Sequence, residues 1–251
     1  MLNDTMFDLN LLHTGDPIES YYEILVRYAK LFDPLRDDPT ASVATASNLI
    51  PFTFYSPYEC LSKFRLGRWI YHHGKMKPPA SLSDLQVPDK VPQMHWKLSA
   101  SIRQLSHTSF IWDYNIFRSI VKEIRYFAGL DLLSAEDVRN MKKELGLLLS
   151  ELEAVTTTGE FSKGHSLAIY LSDINFEATY TYVEKGDFQA CLFRVYSINS
   201  MDSQNPRMCN IQKNWIQSLK RHSTLISQSS EIQRRQFFNE QREIVESLQE
   251  A

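Results

Sequence analysis

The chain has 251 residues, 43% of them hydrophobic and 23% charged, with a formal net charge of −3. This composition is ordinary for a folded protein of one large domain or two small ones. It excludes a disordered polyelectrolyte, and it gives no bulk charge for general nucleic-acid affinity.

Charge is unevenly placed. Residues 1–40 hold eight acids against three bases, whereas residues 61–105 hold eight bases against Asp84 and Asp89. Cys60, Cys191 and Cys209 stand far apart, without CxxC or Cys/His spacing, so neither a disulfide framework nor a zinc site is expected. A reducing, cytoplasmic setting fits. The opening MLNDTMFDLNLL lacks the basic start and long apolar core of a secretory signal. No apolar run approaches the ~20 residues that span a bilayer.

Along the chain, Asp16-Pro17-Ile18-Glu19 predicts a helix start: a capping carboxylate, a proline at the first helical position and an acid at the positive dipole end. Ile18, Tyr21, Leu25, Tyr28 and Phe32 recur at helical spacing, and Pro34 should end the run. Residues 34–50 are small, polar and proline-broken, which predicts a loop. Residues 50–57 read as a short strand, 57–66 as a short helix ending at Gly67, and Arg68–His72 as a second strand. Four prolines make residues 77–93 irregular.

The remainder reads as helices. His95–Leu105 and Asp113–Phe127 come first, the latter with Gly129 past its end. Ser134-Ala-Glu-Asp137 resembles a capping box and opens a helix with Val138, Met141, Leu145, Leu148, Leu149 and Leu152 inward. Ser166–Val183 and Phe188–Asn199 read as two helices joined by the tight turn Glu184–Asp187. Asn205-Pro206 starts another, and Ser229 or Ser230 caps the last. The expected fold is therefore mainly α: an irregular multi-helix bundle with an αα-hairpin at 166–199 and at most a two-stranded β element near 50–72. It reads as a single domain over 1–251, with 1–93 separable as a mixed subdomain ahead of a helical bundle over 94–251.

Chemistry concentrates at 61–77, LSKFRLGRWIYHHGKMK. Five cations (Lys63, Arg65, Arg68, Lys75, Lys77) occur there without an acid, interleaved with Phe64, Trp69 and Tyr71 and followed by His72 and His73. Cations neutralise phosphates and rings stack on bases or anchor a partner. The same pattern also suits a solvated rim around apolar residues, because basic stems pack on apolar surface. Histidines elsewhere are isolated, so no metal site is expected from them. Asp173 and Glu177 share a face if helical, with Asp187 across the turn, and form the alternative metal-binding set. Nucleophile elbows, Walker loops and GxGxxG runs are missing from the sequence.

Two stretches carry a resemblance. Ala178-Thr-Tyr-Thr-Tyr-Val-Glu-Lys-Gly-Asp187 through Arg194, with Asn214-Trp215 and Lys220, resembles the helical C-terminal region of small nucleotidyltransferase-fold proteins. Phe52–Tyr55 and Gly67-Arg68-Trp69-Ile70-Tyr71 resemble a strand–helix–strand edge of the same group. The Gly-Ser and Asp-x-Asp that hold magnesium and triphosphate in that group do not occur here, so the resemblance implies a truncated or inactive relative.

The expected function is binding: a helical interaction protein whose 63–77 surface meets a negatively charged protein or nucleic-acid partner, without a cofactor. The alternative is an enzyme acting on a nucleotide or phosphorylated substrate.

Overall fold

The computed structural model describes residues 16–36, 38–47, 60–73, 82–176, 178–195 and 199–248. Its centre is a mixed eight-stranded sheet, not a helical bundle. The strands are β1 (Ser42–Ser47), β2 (His107–Asp113), β3 (Glu160–Ser162), β4 (His165–Ser172), β5 (Ala178–Lys185), β6 (Phe188–Val195), β7 (Asn199–Ser203) and β8 (Thr224–Leu225). They lie in the order β3-β4-β2-β1-β5-β6-β7, with β8 also pairing to β4. β1, β2 and β4 run parallel. β5, β6 and β7 form an antiparallel meander joined to β1.

Seven helices surround the sheet among the described residues: α1 (Pro17–Phe32), α2 (Cys60–His73), α3 (Lys90–Arg103), α4 (Ile116–Ala128), α5 (Ala135–Thr158), α6 (Pro206–Arg221) and α7 (Glu231–Glu246). Several starts follow the sequence signals. Asp16 accepts from the backbone N–H groups of Ile18 and Glu19. Ser134 and Asp137 form a reciprocal capping box, as do Ser230 and Gln233.

The expected mainly-α bundle is thus corrected, and the αα-hairpin at 166–199 is instead β4, β5 and β6. The turn between β5 and β6 is a two-residue hairpin loop that opens on Gly186 at φ +53. The primed hairpin turns take glycine there because an L side chain is strained at positive φ. The loop expected over 34–50 contains β1. The strand expected at Arg68–His72 is the second half of α2. The strand expected at 50–57 lies outside the described residues.

Side-chain alternation divides the sheet into two unlike faces. One carries Phe110, Trp112, Leu167, Ile169 and Leu171 against α4, α5 and α7. Further along the same face, Val43, Val183, Ala190 and Leu192 pack on α1 and α3. α2 serves both clusters, Leu61 and Phe64 in the first, Leu66 and Ile70 in the second. The opposite face mixes small residues, Ala44 and Ala46 among them, with Ile111, Tyr170, Tyr180 and Tyr182, and meets Cys209, Ile216 and Leu219 of α6. The difference in covering is what leaves room for a pocket.

Candidate functional site

The basic-aromatic segment folds as a helix whose apolar residues are used by the core. Phe64 is buried and meets Phe127 edge to face, with ring centroids 5.5 Å apart. Arg68 is turned inward onto Glu123 of α4, one nitrogen reaching Oε1 at 2.6 Å and Oε2 at 2.5 Å. Its charge is therefore neutralised. Arg65 lies near His95, a fully enclosed imidazole whose pKa falls to about 3, first through burial and then through the Arg65 charge. The side chains of Trp69, Tyr71, His72 and His73, and all of Lys75 and Lys77, lie outside the described residues.

Lys63 borders a broad cleft of about 950 Å³ between α2, α3 and α5. Charges around this cleft mostly answer one another. Glu144 accepts the backbone N–H groups of Cys60 (2.6 Å) and Leu61 (2.9 Å), and so supplies the N-terminal cap of α2. Arg103 pairs with Glu151, while Asp137 is held in its capping box. Both signs line the cleft: Lys63, Arg103 and Lys143 stand with Glu136, Asp137, Glu144 and Glu151.

The alternative metal ligands do not assemble. Asp173 follows the end of β4 and Asp187 lies in the hairpin turn after β5, and both are exposed. They lie beyond opposite ends of β5, whose eight residues span roughly 23 Å. Glu177 lies outside the described residues. Among the described residues no three His, Cys, Asp or Glu side chains gather as a metal site.

A tighter arrangement lies beneath α6, on the sparsely covered face. Ser42 and Ala44 of β1, Ser109 of β2 and Ala168 of β4 make a floor of small side chains. Tyr182 and Glu184 of β5 and Lys213, Gln217 and Lys220 of α6 complete a pocket of about 230 Å³. α6 is set by its own cap, Asn205 accepting from the N–H groups of Arg207 and Met208. It is then pinned by Gln212, whose amide donates to the carbonyls of Thr181 (2.7 Å) and Leu192 (2.9 Å).

One end of the pocket is a closed polar knot. Glu184 accepts from the Tyr182 hydroxyl (2.8 Å), the Ser42 hydroxyl (3.3 Å) and the Lys213 amine. Burial alone would raise the Glu184 pKa, but these donors outweigh it and hold the carboxyl below its ordinary range. Tyr182 is pushed up by burial and by the carboxylate it serves.

Lys220 is different. It sits over the Tyr170 ring, 5.6 Å from the centroid, and has no hydrogen-bond or ion-pair acceptor among the described residues. Burial lowers its pKa, and the nearby Glu184 charge opposes this without reversing it.

Sequence reasoning did not select Lys213, Lys220 or Glu184 as site residues. The available signal was Lys213, Ile216 and Lys220 at i, i+3 and i+7, a spacing that puts two lysines on the same stripe as a core isoleucine.

No family model, curated protein or solved structure matches this chain. The residues Ala178–Asp187, which carry part of the nucleotidyltransferase resemblance, are β5 and its turn rather than a helix. Among the described residues no helix is long and apolar enough to cross a membrane.

Proposed function

We propose that the protein acts by binding a small anionic ligand in the pocket beneath α6, with Lys220 meeting the ligand's charge. The observation that carries this reading is Lys220 itself: an amine drawn into a pocket, resting on an aromatic ring, with no acceptor among the described residues. An ammonium is costly to bury without an acceptor, and a ligand oxygen supplies what the fold leaves out. Lys213 cannot take that part, because Glu184 already holds it. A pocket of about 230 Å³ suits a phosphate or a short carboxylate. It is too small for a nucleic-acid strand.

An anionic partner is thus still proposed, but as a small molecule at α6 instead of a macromolecule at 63–77. Among the described cations of α2, Arg68 is held by Glu123, so a macromolecular contact there would rely on Lys63 and Arg65. Nucleotidyl transfer would need carboxylates converging on a metal, and Asp173 and Asp187 stand at opposite ends of β5.

The test is thermal unfolding of the full chain in increasing phosphate, and separately in small carboxylates. The melting temperature should rise with ligand, as binding to the folded state alone requires. It should stop rising in Lys220→Met while persisting in Lys63→Gln. An unchanged rise in Lys220→Met would overturn the proposal, as would no rise in wild type with any of these anions.

A further inference from the structure

The pocket beneath α6 holds more than a positive charge. Lys220 shares it with groups able to carry protons: the Tyr182 hydroxyl and the Lys213 amine both converge on Oε2 of Glu184. At the other margin stand Gln217 and His107, whose Nδ1 is engaged with the Ser166 hydroxyl at 2.8 Å, leaving Nε2 for another partner. The small side chains of Ser42, Ala44, Ser109 and Ala168 leave the volume above them open.

We infer that the ligand is a small 2-oxo acid and that Lys220 condenses reversibly with its carbonyl carbon to form an imine. This rests on the pocket being the binding site, and goes further by naming the reactive group on the ligand.

An amine attacks a carbonyl only when unprotonated, and withdrawal of Lys220 from water favours that form. With no acceptor for the ammonium among the described residues, the proton that Lys220 carries is held less firmly than in water, and its release frees the attacking lone pair. The nitrogen lone pair forms a bond to the carbonyl carbon, and the carbonyl π pair moves to oxygen. The oxygen gains a proton to give a carbinolamine. It then takes a second proton and leaves as water while the nitrogen closes the C=N bond. The water carries off the carbonyl oxygen and the two amine hydrogens, so atoms and electrons balance with no further reactant. The Tyr182–Glu184–Lys213 knot is the neighbouring group that can deliver and accept those protons. The ligand's carboxylate faces the donor left at the pocket margin, the Gln217 amide.

The experiment incubates the full chain with pyruvate and with 2-oxoglutarate, adds borohydride to reduce any imine, and reads intact mass and peptide maps. One adduct per chain is expected, its mass gain equal to the oxo acid less its carbonyl oxygen, located on Lys220 and suppressed by excess phosphate. Lys220→Met should lose it, and Glu184→Gln should form it more slowly. Should Lys220→Met fail to fold, the wild-type peptide map decides alone. Adducts spread over exposed lysines without preference for Lys220 overturn the imine. Anion-dependent stabilisation without trapping at Lys220 overturns the imine and leaves the binding reading standing. Loss of both overturns both.

Discussion

Arg68 of α2 and Glu123 of α4 are bound by one guanidinium nitrogen shared between both carboxylate oxygens, at 2.6 and 2.5 Å. The Arg68 side chain is only 10% exposed, while Glu123 keeps a face in water at 38%. The pair joins the helix that precedes the cleft to the helix that follows β2. It converts the most conspicuous cation of the basic segment into a structural tie.

Arg68→Gln should therefore act on stability and not on binding. Breaking a buried pair can cost 3–5 kcal/mol. Here Glu123 can rehydrate, so about 1–3 kcal/mol is expected. Urea unfolding should show a lower midpoint with an unchanged slope, and phosphate should still raise the melting temperature of the variant. Loss of that rise in Arg68→Gln would return the anion site to α2.

His95 should govern part of the acid limb of stability. Its folded pKa, about 3, lies below the unfolded value of 6.5. The unfolded chain therefore binds the extra proton first as pH falls. The stability that neutral His95 contributes is full above pH 6.5 and is lost progressively toward pH 3. The slope is about 1.4 kcal/mol per pH unit within that window. His95→Leu should flatten this slope between pH 6 and 4 in a series of urea melts. An unaltered slope would show that His95 is reached by water before unfolding.

The capping box at Ser134 is a local contribution of ordinary size. Ser134 Oγ accepts from the Asp137 N–H at 3.1 Å, and Asp137 Oδ2 accepts from the Ser134 N–H at 2.9 Å. Ser134→Ala should lower stability by about 1 kcal/mol. The same change at Ser150, which donates to the Gly146 carbonyl in mid-helix, should have little effect, and matched thermal melts compare the two.

Helix starts were legible because caps are local chemistry: Asp16, Ser134, Asn205 and Ser230 all cap where their sequences predict. The strands were not, for a nonlocal reason. Leu167, Ile169 and Leu171 face one helical layer, while Ala168 and Tyr170 face the α6 side, so β4 reads as one apolar run with no alternation. A strand covered on both faces and a buried helix segment look alike over eight residues. β1, with the letters SVATAS, was hidden by its small side chains, although smallness is what brings α6 close and opens the pocket beside it. The site itself joins residues from β1, β2, β4, β5 and α6, and only their pairing in the sheet brings Ser42 within reach of Glu184, 142 positions later.

Lys220→Met provides the sharpest separation of function from scaffold. In the folded chain the Lys220 pKa is lowered, and at neutral pH an unfolded lysine is fully protonated. Folding must therefore confine an ammonium without an acceptor among the described residues or release its proton, and either step is unfavourable. Methionine keeps a long flexible apolar stem and can still lie against Tyr170. The variant should be more stable than wild type by about 0.5–1.5 kcal/mol in buffer free of phosphate and carboxylates, because the replaced group has no hydrogen-bond or ion-pair acceptor to lose among the described residues. In saturating phosphate the order should reverse, since only wild type gains from the ligand. Urea melts of both proteins, with and without phosphate, read the crossing directly. A Lys220→Met chain that is less stable than wild type in both conditions would make Lys220 a packing residue, and the pocket would lose its claim on an anion.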